Sequence, residues 1–147
     1  MKLSMMEIRP ARGEDAAAVD LLLTQLGYEL PADTLLNRLS KLGNGDTDRV
    51  LVAEDAGRIV GLMALHWTVM LHAALPVARI TTLVVDDAVR GKGVGRRLVN
   101  TAADLARQAG CGVLELTTGL QRTDAQAFYQ AIGFTASSMR LHRPLTT

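Results

Sequence analysis

The chain has 147 residues, 48% apolar and 21% charged, with a formal net charge of +1. That length supports a core without disulfides or metals, and the near-zero charge supplies no global field for a nucleic-acid or membrane partner. One cysteine, Cys111, excludes an intrachain disulfide framework; with no signal-like segment and no membrane-length apolar run, a cytoplasmic location is expected.

Ile8-Arg9-Pro10-Ala11 reads as a short first strand, ended by the turn-like Gly13-Glu14-Asp15. From Asp15, a candidate N-cap, Val19, Leu22, Leu23 and Leu26 recur at helical spacing until Gly27 stops them. Pro31 suits the first turn of a second helix carrying Leu35, Leu36, Leu39 and Leu42, and Gly43-Asn44-Gly45-Asp46 closes it. Residues 49–55 predict a strand, Asp55-Ala56-Gly57-Arg58 a tight hairpin and 59–71 a long return strand. Pro76 breaks the chain before a strand over 79–86. Val94, Leu98, Ala102, Leu105, Ala106 and Ala109 then form one helical face. A buried strand over 113–118, a short helix over 124–131 and one or two closing strands over 134–141 complete the pattern. The order β-α-α-β-β-β-α-β-α-β predicts one domain over 1–147, of α+β or α/β class. Its mixed, mostly antiparallel sheet would carry helices on both faces.

The most informative stretch is Leu83-Val84-Val85-Asp86-Asp87-Ala88-Val89-Arg90-Gly91-Lys92-Gly93-Val94-Gly95-Arg96-Arg97. A strand that runs through a glycine-rich turn into a helix leaves backbone N–H groups unpaired at the positive end of the helix dipole. Gly91, Gly93 and Gly95 lack a Cβ, so a phosphate can approach closely and a positive φ costs little. Arg90, Lys92, Arg96 and Arg97 add charge there. The stretch reads as a phosphate or pyrophosphate cradle. It lacks the Gly-Lys-Ser/Thr ending of a P-loop, and a Gly-x-Gly-x-x-Gly count from Gly93 meets Leu98 in place of its third glycine.

What stands there is Arg-x-x-Gly-x-Gly, from Arg90 to Gly95, after Leu83-Val84-Val85. It resembles the acetyl-CoA signature of the GNAT superfamily of acyl-CoA N-acyltransferases. Ala125-Gln126-Ala127-Phe128-Tyr129-Gln130-Ala131-Ile132-Gly133-Phe134 resembles a second motif of that family, Ala-x-x-Phe-Tyr-x-x-x-Gly-Phe. The predicted element order is also similar to the family's fold.

The resemblance implies acetyl-CoA as cosubstrate, with no metal. Residues Arg90, Gly91, Lys92, Gly93, Val94, Gly95 and Arg96 would hold its phosphates. The backbone of Leu83, Val84 and Val85 would pair with the pantetheine arm like an added strand. The strands over 79–86 and 113–118 would then splay apart at their C-terminal ends. Tyr129 matches the tyrosine that protonates the departing thiolate, and Phe128 reads as core. Glu115, on a strand where several members place a glutamate, is the candidate base. It stands farther from Tyr129 than is usual, and Arg122 replaces a frequent asparagine, so an ion-paired structural carboxylate is the equal reading. His66, Trp67, His72, Tyr28 and Glu29 border the acceptor pocket in this architecture, although a lone strand histidine reads first as structural. Cys111 reads as a buried structural thiol. The implied activity is direct transfer of acetyl to a small-molecule or peptide primary amine in a ternary complex, by a protein that pairs as a homodimer. The alternative is a non-catalytic acyl-CoA-binding or regulatory domain of the same fold.

Overall fold

A computed structural model describes residues 5–146. Five strands, β1 (Met6–Pro10), β2 (Asp48–Asp55), β3 (Arg58–Thr68), β4 (Val77–Val85) and β5 (Val113–Leu116), lie side by side in chain order. The first four are antiparallel, and β5 joins β4 in parallel. Helices α1 (Ala16–Leu26) and α2 (Ala32–Gly43) precede β2, α3 (Val94–Gln108) follows β4 and α4 (Thr123–Ala131) follows β5.

Strand alternation feeds two cores. Val50, Val52, Leu62 and Val84 pack under α1 and α2 with Val19, Leu22, Leu35 and Leu39. Leu51, Ala53, Met63, Leu65, Ala78 and Ile80 pack on the opposite face with Val94, Leu98, Ala102 and Ala106 of α3. Helices therefore cover both faces. The Asp55–Arg58 hairpin turns through Ala56 at φ 50° and Gly57 at φ 83°, the left-handed pair that a two-residue turn requires. Just beyond it, a register shift at Ala53/Glu54 places Gly61 under α3. A Cβ there would stand 2.9 Å from Val94 Cγ1 and 3.0 Å from Leu98 Cδ1, so the missing side chain is what lets α3 rest on the sheet.

Three local expectations are corrected. Asp15 stands at the N-cap position of α1, but its carboxylate caps nothing in that helix. It accepts from both terminal nitrogens of buried Arg9 at 2.8 and 2.9 Å and from the Arg12 N–H at 2.7 Å, because a bidentate guanidinium outcompetes a single backbone donor. Strand β5 is only half-buried, and its first residue, Val113, is 50% exposed, since β5 is the sheet's edge. No strand forms over 134–141. Phe134 packs against the α3 core and its N–H closes α4 on Tyr129 O at 3.0 Å. Beyond it, Ala136-Ser137-Ser138 has too little apolar surface to hold a strand on the sheet, and Met139 and Leu141 are exposed.

Candidate functional site

The β4–β5 ladder holds four pairs, from Val77↔Val113 to Ile80↔Leu116, and β4 then continues to Val85 paired with β3 alone. Its β5-side edge from Thr81 onward is an opening lined by main chain. The side chains of Leu83 and Val85 turn to the α3 core and that of Val84 to the α1/α2 core. What Leu83, Val84 and Val85 present to the opening is therefore backbone, as a ligand pairing like a strand requires.

The opening leads into the glycine turn. Asp86 caps a 3-10 turn over Asp87–Val89, accepting from the Ala88 N–H at 3.1 Å, and Arg58 of the hairpin holds it at 2.7 Å. The Ala88 hydrogen bond, helped by Gln25 and Arg58, keeps the Asp86 carboxyl below its ordinary range. Gly91 and Gly93 are left-handed, at φ 79° and 88°, with nothing within 4 Å of where a Cβ would stand. Gly93 is the N-cap of α3 and offers no side chain to it, so the first-turn N–H groups of Val94, Gly95 and Arg96 point outward without an acceptor. Lys92 and Arg96 are exposed beside them. Arg90 is braced by Asp87 at 2.7 Å and donates to Val85 O at 3.4 Å. Gly95 is helical. Its missing side chain makes room for Phe128, whose Cζ would lie 3.3 Å from a Cβ, so beside its first-turn N–H it also packs α4 against the turn.

That contact ties α3 to α4. Tyr129 stacks edge-on with Phe128 at 5.3 Å between ring centroids and with Phe134 at 5.8 Å. Burial raises the phenol above its ordinary pKa, against a smaller opposing pull from Arg122. The hydroxyl is therefore a protonated donor across the neutral range. Two residues past the last β4–β5 pair, Thr118 buries its Oγ1 with no hydrogen-bond partner, the one such side-chain atom among the described residues. An unpaired buried hydroxyl is costly unless something arrives to meet it. No sequence pattern singled out Thr118; its signal is this orphaned oxygen. Outward N–H groups, two open left-handed glycines and an unmet hydroxyl at the mouth of a strand-edge opening fit an acyl-CoA: phosphates at the turn, an amide-bearing arm along β4.

Glu115 lies elsewhere. It is the in-register neighbour of Arg79, and one carboxylate oxygen takes Arg79 Nη2 at 2.6 Å and Nε at 3.0 Å. The same level of the sheet carries His66 opposite Arg79 and Asp48 opposite His66. Asp48, His66, Arg79 and Glu115 thus form a row across four strands, on the α1/α2 side where Val50 and Ala64 also point. His66 Nδ1 meets Asp48 Oδ1 at 3.0 Å. Trp67 turns to the other face, under Arg49 at 5.1 Å from the ring centroid. Tyr28, Glu29 and His72 are exposed.

Cys111 is partly buried, and burial pushes its thiol pKa up, away from the thiolate a nucleophile needs. Among the described residues no group of three or more His, Cys, Asp or Glu forms a metal cluster. A cleft of about 740 Å³ between α1 and the β2–β3 hairpin is lined by Arg9, Asp15, Gln25, Glu54, Arg58 and Asp86. Within it Arg9 pairs with Asp15 and Glu54, and Arg58 with Asp86.

Residues 17–134 match the family model described as Acetyltransferase (GNAT) family. The aminoalkylphosphonate N-acetyltransferase of Salmonella typhimurium is 33% identical over 144 residues, covering 95% of this chain and 91% of that protein. The uncharacterized N-acetyltransferase YhdJ of Bacillus subtilis is 32% identical over 125 residues, 84% of this chain and 87% of that one. Among solved structures, a transcriptional regulator from Bacillus halodurans C-125 superposes with a TM-score of 0.87 at 27% identity, over 95% of this chain and 99% of that one. The aminoglycoside N-acetyltransferase AAC(6')-Iy in complex with CoA shares the fold, with a TM-score of 0.84 at 21% identity over 96% and 95% of the two chains.

Proposed function

The chain belongs to the GNAT family of N-acetyltransferases, and on that premise we propose that it transfers acetyl from acetyl-CoA to a small-molecule primary amine by direct attack in a ternary complex. The observation that carries this reading is the junction of the free β4 edge beyond Ile80 with the uncapped N-terminus of α3. It supplies main-chain pairing for the pantetheine arm and N–H donors for the phosphates in one continuous path. Gly91, Lys92, Gly93, Val94, Gly95 and Arg96 take the phosphates, with Arg90 bracing the turn; Leu83, Val84 and Val85 take the arm.

Tyr129 donates the proton to the departing thiolate; its half-buried, protonated phenol and its packing on Phe128, which rests on the first turn of α3, support that role. A cysteine acyl-enzyme is disfavoured by the raised Cys111 thiol. Glu115, the base that the family resemblance offers, has its carboxylate engaged by Arg79, which favours a structural part for it. For the acceptor, the name of the Salmonella relative supports a small amine that carries an anionic group such as a phosphonate. The protein would work in the cytoplasm, where acetyl-CoA is supplied; no described helix is long and apolar enough to cross a membrane. Pairing as a homodimer fits the open outer edge of β5.

The test is thiol release from acetyl-CoA with aminomethylphosphonate, an aminoglycoside and an amino acid as acceptors, with the N-acetyl product confirmed by mass. The reading expects transfer to the phosphonate amine above the other two. CoA binding without transfer to any amine would favour the non-catalytic alternative.

A further inference from the structure

An amine attacks only when neutral, so the proton of its ammonium form needs an acceptor at the site. With Glu115 engaged by Arg79, the row across the sheet offers another group. A carboxylate only accepts hydrogen bonds, so the 3.0 Å contact between Asp48 Oδ1 and His66 Nδ1 requires the proton on Nδ1. In the neutral ring, Nε2 then carries the lone pair. A carboxylate that fixes the tautomer of an imidazole base is the arrangement that hydrolytic triads use, here across two strands.

Position supports the same role. The imidazole is 44% exposed and Asp48 is 22% exposed, so the ring is reachable while its orienting partner is sheltered. His66 stands in register with Arg79, two residues before Thr81, where β4 loses its β5 partner. The register shift at Ala64/Leu65 adjoins it. Adjacent strands lie about 4.8 Å apart and residues rise about 3.3 Å along a strand, so the ring stands one strand across and two residues along from the opening, a span that its side chain and one water bridge to an amine over β4. The charged groups flanking the ring across the sheet are Asp48 from β2 and Arg79 from β4, with Glu115 of β5 neutralising Arg79.

We propose that His66, oriented by Asp48, is the proton acceptor for the attacking amine; the assignment rests on the acetyltransferase reading above. Nε2 takes one proton from the ammonium form, the freed lone pair forms the bond to the thioester carbon, and the second N–H proton lost as the amide forms passes to solvent. The C–S bond breaks with its electron pair on sulfur, which takes the Tyr129 proton. Solvent then removes the proton from His66 and returns one to Tyr129. Asp48 is a positioning residue.

The whole protein has three histidines, so ¹⁵N NMR with His66→Gln resolves the His66 ring. At about pH 8 the proposal expects a ring protonated at Nδ1 and bare at Nε2, and a mixed tautomer in Asp48→Asn. With aminomethylphosphonate, His66→Gln should lower kcat by about 100-fold or more, keep CoA affinity within twofold, and regain turnover with added imidazole. His142→Gln, in the exposed C-terminal tail, should match the unmodified protein. A ring protonated at Nε2, or His66→Gln turnover within threefold of the unmodified protein, overturns the proposal. A Glu115→Gln loss as large as that of His66→Gln also overturns it, returning the proton to Glu115. If the unmodified protein binds CoA but leaves this amine untouched, the acceptor reading has failed, and the tautomer measurement decides the role of His66.

Discussion

A Cβ added to Gly95 would stand 3.3 Å from Cζ of Phe128. Through that contact the first turn of α3, which carries the phosphate cradle, fixes the height of α4, which carries Tyr129. Gly95→Ala gains about 1 kcal/mol of helix propensity and loses a similar amount to crowding at Phe128. Its Tm should therefore move by only a few degrees while Tyr129 shifts with its neighbour. Steady-state kinetics should show kcat falling further than CoA affinity; loss of CoA affinity with kcat intact would assign Gly95 to the cradle alone.

Gly93→Val places a branched side chain at φ 88° on the N-cap of α3, in space open to a ligand. The backbone strain costs about 1–2 kcal/mol, small against a whole domain. Calorimetry should register no CoA binding while far-UV circular dichroism stays unchanged.

Tyr129→Phe removes the proposed proton donor and leaves its edge-on packing with Phe128 and Phe134. Turnover should fall by about 100-fold or more, with CoA affinity held within a few-fold. Because burial raises the phenol pKa, the pH–rate profile below pH 9 should contain no limb from its ionisation.

Gly61→Ala tests how closely α3 rests on the sheet. Its methyl would meet Val94 Cγ1 at 2.9 Å and Leu98 Cδ1 at 3.0 Å, and overpacking of this kind costs about 1–3 kcal/mol. Urea unfolding should report that loss. Because Val94 opens the cradle helix, CoA affinity should weaken with it.

The Arg9–Asp15 pair gives the fold its acid sensitivity. Arg9, above all, holds the Asp15 carboxyl below its ordinary range, and the Ala88 N–H does the same for Asp86. Folded pKa values depressed below the unfolded ones contribute stability that is fully present above about pH 4–5 and lost as pH falls toward the folded values. Tm should be level from neutral to about pH 5 and decline below about pH 4. Asp15→Asn leaves buried Arg9 with Glu54 as its one carboxylate and should cost about 3 kcal/mol at pH 7.

Much of this was legible in the chain because the signals are local. The left-handed Gly91 and Gly93, the Gly27 stop and the Ala56-Gly57 turn each follow from a short string and its backbone demand. The opening between β4 and β5 was also anticipated. What escaped depends on contacts distant in sequence. Continued straight from its turn, the β2–β3 hairpin would set Asp48 opposite Leu65; the one-residue shift at Ala53/Glu54 sets it opposite His66, and no residue pattern announced that bulge. That Gly95 also makes room for Phe128 was hidden because the two stand 33 positions apart. Asp15 read as a cap because nothing local shows that Arg9 reaches it first. The closing strand over 134–141 followed from alternation alone, which does not report how much apolar area a segment has to bury.

The central claim is that the α3 turn and the free β4 edge together hold an acyl-CoA. The most direct measurement is a thermal shift with acetyl-CoA, CoA and ATP side by side. At about 100 times Kd a ligand adds roughly 2.7 kcal/mol of stability, a shift of several degrees. Stabilisation by acetyl-CoA and CoA but not by ATP is the expected result, since the pantetheine arm is what the β4 edge would recognise. No shift with either CoA species at saturating concentration, or equal shifts with all three, would contradict the account.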